Sequence, residues 1–175
     1  PAYYEYHINR WNKIVIVEKA VRNVAVQNVP INGKLDKLEF NGKQVNVVDY
    51  KTGKYENAKK KLVPPNDKEP NGGDYWRQAV FYKILLDNDR TNDWQAVSTE
   101  FDFIEPVNDE YKTEVVQVNS ADITTVTHQI TDTWQKIQNK DFKTGCGKSD
   151  CEWCNFVKSN NLVVTLHDPE SDEDI

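Results

Sequence analysis

The chain predicts a mixed α/β domain, and three features of its pattern carry that expectation. Two groups of Val-, Ile- and aromatic-rich segments, within 13–51 and 94–118, alternate polar and apolar residues as strands do. Each group is followed by a stretch with helical spacing, near 74–87 and 120–141. The order strands, helix, strands, helix is not a regular βαβ array, so a central mixed sheet flanked by helices is expected.

The elements follow from local signals. "KIVIVEKAVRNVAVQNV" (13–29) reads as one or two strands. "GKLDKLEF" (33–40) and "QVNVVDYK" (44–51) lie on either side of Asn41–Gly42, a strong hairpin signal. Residues 54–73 carry Lys, Pro and Gly without periodicity and read as a long loop, a class of segment with a bias towards function. "GDYWRQAVFYKILLD" has helical spacing, with Asp74 as N-cap after Gly72–Gly73. "WQAVSTEFDFIE" (94–105) and "YKTEVVQV" (111–118) form a second strand pair, with Pro106 and Asn108 in the turn. A last long helix starts at Ser120 or Asp122 and carries Ile123, Val126, Thr127, Ile130, Trp134 and Ile137 as its apolar stripe. Trp76, Trp94 and Trp134 are assigned to the core, His128 to a structural role, and the acidic tail "DPESDEDI" is expected to fray.

Composition narrows the class. At 175 residues, with 38% hydrophobic and 11% aromatic content, the chain can bury one core and is not generally disordered. Its longest aliphatic run is Ile14–Val17, so no membrane span is expected, and no secretory signal pattern is present. Three cysteines within nine residues do not form a secreted disulfide framework, which points to a reducing cytoplasm. The absence of Met and the start at Pro1 read as a piece of a longer protein. A net charge of −6 argues against a free-standing nucleic-acid binder, but not against a nuclease module whose partner holds the DNA.

The hairpin carries the chemistry. Val45, Val47, Asp49 and Lys51 share a strand face, as do Asp36, Leu38 and Phe40 on the partner. A two-residue Asn41–Gly42 turn would set Asp36 opposite Val47, and a four-residue loop, Asn41 to Gln44, would set Asp36 opposite Asp49. Either parity brings Asp36, Asp49 and Lys51 to one face, with the acids about 5 Å or about 7–8 Å apart at Cβ. Two carboxylates so placed can share Mg²⁺ or Mn²⁺, and Lys51 beside them can orient a water or offset phosphate charge. The alternative for "DYK" alone is an ordinary strand-end ion pair. Gln78 and Tyr82, at i and i+4, project together from the helix and can orient a nucleic-acid strand; alone they would be a solvated core edge.

Three motifs then agree in order with one family. "GKLD" (33–36), "VVDYKTGK" (47–54) and "QAVFY" (78–82) resemble the G-x-x-D, D-x-K-T-G and Q-x-x-x-Y motifs of RecB-like nucleases of the PD-(D/E)XK superfamily, as found at the C-terminus of bacterial UvrD/Rep-type DNA helicases. The resemblance runs from about Glu18 to Phe156. It implies a restriction-endonuclease-like core over 1–145, truncated at its N-terminus, and a cysteine-rich segment over 146–175. It implies that Asp36, Asp49 and the Tyr50 carbonyl bind the metal, that Lys51 assists the attacking water, and that Gln78 and Tyr82 are accessory. Glu18 stands where such proteins often have an acid, with strand-end solvation as the alternative. An upstream histidine ligand is also implied; "YEYHINRW" around His7 does not match its context, so that histidine is expected before Pro1.

"GCGKSDCEWCNF" contributes Cys146, Cys151 and Cys154 with C-x₄-C-x₂-C spacing, which suits a metal site. It resembles the [4Fe–4S] staple of several RecB-like nucleases, with Zn²⁺ or no metal as alternatives and the fourth ligand expected upstream; His167 is a weaker fourth candidate. Trp153 is expected to pack against that metal. "GCGKS" imitates a Walker A loop, but the first glycine position is occupied by Phe142 and a helix precedes it, so ATP binding is rejected. Lys54, Lys59, Lys60 and Lys61 can touch phosphates or form a solvated charge run. The expectation is a metal-dependent, exonuclease-like DNA nuclease domain of a cytoplasmic bacterial helicase–nuclease acting in DNA end processing, recombination and repair. Its partners would be DNA and helicase domains of the same parent chain. The alternatives are an inactive DNA-binding or docking module and a metal-stapled scaffold.

Overall fold

The computed structural model describes residues 2–141 and 149–160. In chain order the elements are α1 (Ala2–His7), β1 (Val15–Val26), β2 (Val29–Asn41), β3 (Gln44–Lys51), α2 (Ala58–Lys61), α3 (Asp74–Asp87), β4 (Gln95–Val107), β5 (Glu110–Val116), α4 (Ser120–Gln138) and α5 (Glu152–Ser159). The five strands form one mixed sheet in the order β1-β2-β3-β4-β5. All neighbours are antiparallel except β3 and β4. A parallel pair needs a crossover, and α3 supplies it. The mixed α/β architecture expected from the pattern is therefore the one observed.

The β2–β3 hairpin turns through Gly42 and Lys43, with Gly42 at φ 61°, a left-handed value glycine takes without steric cost. Its register pairs Phe40 with Val45 and Leu38 with Val47, the second of the two arrangements the sequence allowed. Val45 and Val47 are fully buried and meet Trp76, Val80 and Leu85 of α3 in the main core, against which Ile123, Ile130 and Trp134 of α4 also pack. α1 covers the other face, where the Tyr3 hydroxyl donates to Asp102 of β4.

Several local expectations are corrected. Residues 55–61 are not plain loop: Tyr55–Asn57 makes a 3₁₀ turn that runs into α2. The N-cap of α3 is Gly73, not Asp74, because Asp74 already lies in the first turn and pairs with Arg77. Pro106 belongs to β4, and the β4–β5 turn is made by Asn108 and Asp109, both at positive φ.

The chain divides into two compact units, Pro1–Trp134 and Gln135–Ile175. The first holds the sheet. In the second, α5 begins from Cys151 as its N-cap and exposes Trp153, Phe156 and Val157. Trp153 is 81% exposed, so the expectation that it packs against a metal is not met among the described residues. No helix among the described residues is long and apolar enough to cross a membrane.

Candidate active site

Alternation along β3 aims Asp49 and Lys51 at the face that α3 covers, in line with the buried Val45 and Val47. Asp49 is only 4% exposed, a position where a carboxylate must be bonded. Gln78 and Tyr82, one helical turn apart, come down on it. The Tyr82 hydroxyl donates to Asp49 Oδ1 at 2.7 Å. Gln78 Nε2 donates to the same oxygen at 3.0 Å and to the Tyr82 oxygen at 2.6 Å. Lys51 Nζ lies 2.7 Å from Asp49 Oδ2 and donates to Gln78 Oε1 at 2.7 Å. The ring of contacts fixes the amide of Gln78: its oxygen must face the ammonium and its nitrogen the carboxylate. Burial, and then the bond to Asp49, push the Tyr82 pKa far above an ordinary phenol, so Tyr82 stays a neutral donor.

Asp36 lies beside this site, next to an irregularity in β2. Leu35 and Leu38 are both fully buried in the same core although three residues apart, so simple alternation breaks between them. Facing the break on β1 is Glu18, at φ 53°, between the pairs Val17–Lys37 and Lys19–Leu35. The β2–β3 ladder ends at Lys37–Val48, and the half-buried Asp36 accepts the Tyr50 N–H through Oδ2 at 3.1 Å. Asp36 is close enough that its charge also raises the Tyr82 pKa. Glu18 itself is exposed and paired with Lys34.

Sequence reasoning underweighted two features. The Lys51 ammonium lies 4.5 Å from the ring centre of Tyr75 and 5.1 Å from that of Phe101. Tyr75 stacks on Phe101 at 5.1 Å, and Lys61 Nζ lies 4.9 Å from the Tyr75 ring. Tyr75 stands three residues before Gln78, a spacing that signals a shared helix face. The second feature is a polar cluster on the face opposite α3. There Lys37, 7% exposed, pairs with Glu39 at 2.9 Å. Burial works against the Lys37 charge, but the neighbouring Glu39 and Tyr50 outweigh it and raise its pKa. His7 lies in this cluster beside Tyr3 and under the charge of Asp102, away from the Asp49 carboxylate. His7 Nε2, Trp11 Nε1 and Asp102 Oδ1 are buried without hydrogen-bond partners.

The donor set limits what the site can hold. Among the described residues no group of three or more His, Cys, Asp or Glu side chains is arranged to hold a metal. Asp36 and Asp49 supply two hard carboxylates, which fits a small divalent cation that keeps waters and takes oxygens from a phosphate. Cys151 and Cys154 are half-buried at the start of α5, whereas Cys146 and His167 lie outside the described residues.

Comparison with known proteins is informative at the family level. A sequence profile described as the PD-(D/E)XK nuclease superfamily matches residues 3–159. No curated protein matches the chain. Among solved structures, the crystal structure of SSO0001 is similar with a TM-score of 0.45 and 15% identity, over 78% of this chain. The match spans only 57% of that protein's length.

Proposed function

Because the chain belongs to the PD-(D/E)XK nuclease superfamily, we propose that it is a Mg²⁺- or Mn²⁺-dependent DNA nuclease domain. In this reading it is RecB-like, is carried by a UvrD/Rep-type helicase, and acts exonucleolytically at DNA ends in recombination and repair. The observation that carries the reading is the closed ring of Asp49, Lys51, Gln78 and Tyr82, with Asp36 tied to the main chain between Asp49 and Lys51.

A divalent cation, when bound, supplies Lewis-acid charge to the phosphate undergoing attack. Asp36 and Asp49, with the Tyr50 carbonyl, would hold it. Lys51 presents its ammonium to the attacking water and to the charge that grows on phosphate oxygen. Gln78 holds Lys51 and Asp49 at fixed separation, and Tyr82 donates to Asp49 without competing for a proton. Lys61, whose ammonium lies 4.9 Å from the Tyr75 ring centre, is suited to backbone phosphate. Cys146, Cys151 and Cys154 would hold a [4Fe–4S] cluster, or Zn²⁺, with a fourth ligand from elsewhere in the parent.

The test is degradation of linear DNA with Mn²⁺ by the full-length parent. Asp49→Asn and Lys51→Ala should each lower the rate by about 10²–10³ or more, the scale for losing a group that meets developing charge. Folded variants that degrade DNA at the wild-type rate would sink the assignment. A second reading is a DNA-docking module without cleavage. It is favoured by the engagement of both Asp49 oxygens with protein groups, and DNA binding without Mn²⁺-dependent loss of substrate would select it.

A further inference from the structure

The main-chain ladder between β2 and β3 stops at Lys37 and Val48, one residue short of the two carboxylates. Beyond it, no ladder bond between these strands governs how far Asp36 stands from Asp49. Two other contacts cross the gap. Near α3, Asp36 Oδ2 accepts the Tyr50 N–H at 3.1 Å. On the far face, Lys37, next in the chain to Asp36, meets the side chain of Tyr50, next in the chain to Asp49.

That far-face contact is built, not incidental. A buried ammonium is costly unless it is held, and Lys37 Nζ lies 2.9 Å from Glu39 Oε1. It lies 5.4 Å from the Tyr50 ring centre and 5.7 Å from that of Trp11. The Tyr50 ring is met edge-on by Tyr3 at 6.4 Å, and Tyr3 is tied to Asp102.

We propose that Lys37 is a positioning residue of the site, whose far-face clamp on Tyr50 sets the separation of Asp36 and Asp49. Neighbouring residues in a strand project to opposite faces, so anchoring one side chain orients the backbone that presents the next. Holding Lys37 therefore aims Asp36. Holding Tyr50 aims Asp49 and the N–H that Asp36 accepts. An apolar residue at 37 would fill the space but could not set a charge between Glu39 and the Tyr50 ring. The consequence for cation binding rests on the reading of Asp36 and Asp49 as ligands; the link between the strands does not.

Two readouts on the full chain separate these levels: hydrogen exchange at the Tyr50 amide in metal-free protein, and Mn²⁺ affinity by calorimetry. Lys37→Met and Tyr50→Leu should each speed exchange at the residue 50 amide about tenfold and weaken Mn²⁺ binding about tenfold, the usual cost of losing a ligand's supporting contact. The amide of Val47, inside the ladder, should keep its protection. Lys37→Arg, which retains charge and donors, should stay within about twofold of wild type on both readouts. Wild-type exchange at Tyr50 in folded variants overturns the proposal, and so does an equal loss of protection along all of β3, which a merely structural ion pair would give. If Lys37→Met does not fold, Tyr50→Leu, which removes the ring and leaves the Lys37–Glu39 pair in place, decides. Wild-type protein that takes up no Mn²⁺ overturns the cation reading of Asp36 and Asp49, while the exchange measurements still decide the clamp.

Discussion

Asp49 has both carboxylate oxygens bonded inside the protein, Oδ1 to Tyr82 and Gln78 and Oδ2 to Lys51. A carboxylate offers about four lone-pair sites, so these three contacts leave it able to accept once more. Preorganisation of this kind fixes a ligand's orientation before anything binds. His7 shows the opposite case, a buried polar group left unserved. Burial lowers its pKa below the usual 6.5; Asp102 opposes that shift, and Arg10 and Lys37 reinforce it. The unfolded chain then takes up the proton first, so the stability His7 provides is present above about pH 6.5 and is lost as pH falls through its lowered folded value. Thermal melts between pH 7 and pH 5 should fall more steeply for wild type than for His7→Phe. Glu100, raised by burial and by Glu39 and Asp102, contributes with the opposite sign and is common to both proteins, so the difference isolates His7. Equal slopes would refute the assignment.

The element that brings the two halves of the site together is α3, and its start is tightly held. Gly73 donates to the Val63 carbonyl at 2.8 Å. A Cβ at Gly73 would lie 2.3 Å from the Lys61 carbonyl oxygen and 2.4 Å from its carbon, both main-chain atoms that cannot swing away. Gly73→Ala should therefore cost about 1–3 kcal/mol in urea unfolding, as other overpacked sites do, and lower activity by shifting Tyr75 and Gln78. Unchanged stability would mean that the loop is not pressed against the helix. Local periodicity is enough to group Asp49 with Lys51, and Gln78 with Tyr82, because each pair lies within one element. The break at Asp36 is not legible in the same way, because it faces Glu18 on a different strand. The far-face cluster draws Lys37, Tyr50 and Asp102 from three strands, which become neighbours only through sheet order. Asp102 between two phenylalanines in "EFDFIE" is the one local hint of it. Residues 55–61 are too few to display a helical period.

At the scale of the whole chain, a net charge of −6 leaves little general attraction for DNA, so in the proposed reading strand capture would fall to the lysines near the site. The second unit carries Cys151 and Cys154. Elemental analysis of the full-length parent should find iron with Cys151 and Cys154 intact, and loss of iron in Cys154→Ser. Zinc in its place would select the tetrahedral alternative, and neither metal would remove the cluster from the proposal. The parallel joint between β3 and β4 has a further consequence, for the order of assembly. The β1–β2–β3 meander and the β4–β5 hairpin pair residues close in the chain, which cost little loop entropy to join. The β3–β4 joint pairs Asp49 with Phe101 and closes only after the segment containing α3 has been synthesised and folded back. During synthesis the two strands bearing Asp36 and Asp49 can pair first, while the groups that hold Asp49 and Lys51 arrive later. The site is thus completed by contacts distant in the chain, and a nascent chain carries its two acids before it carries the groups that hold them.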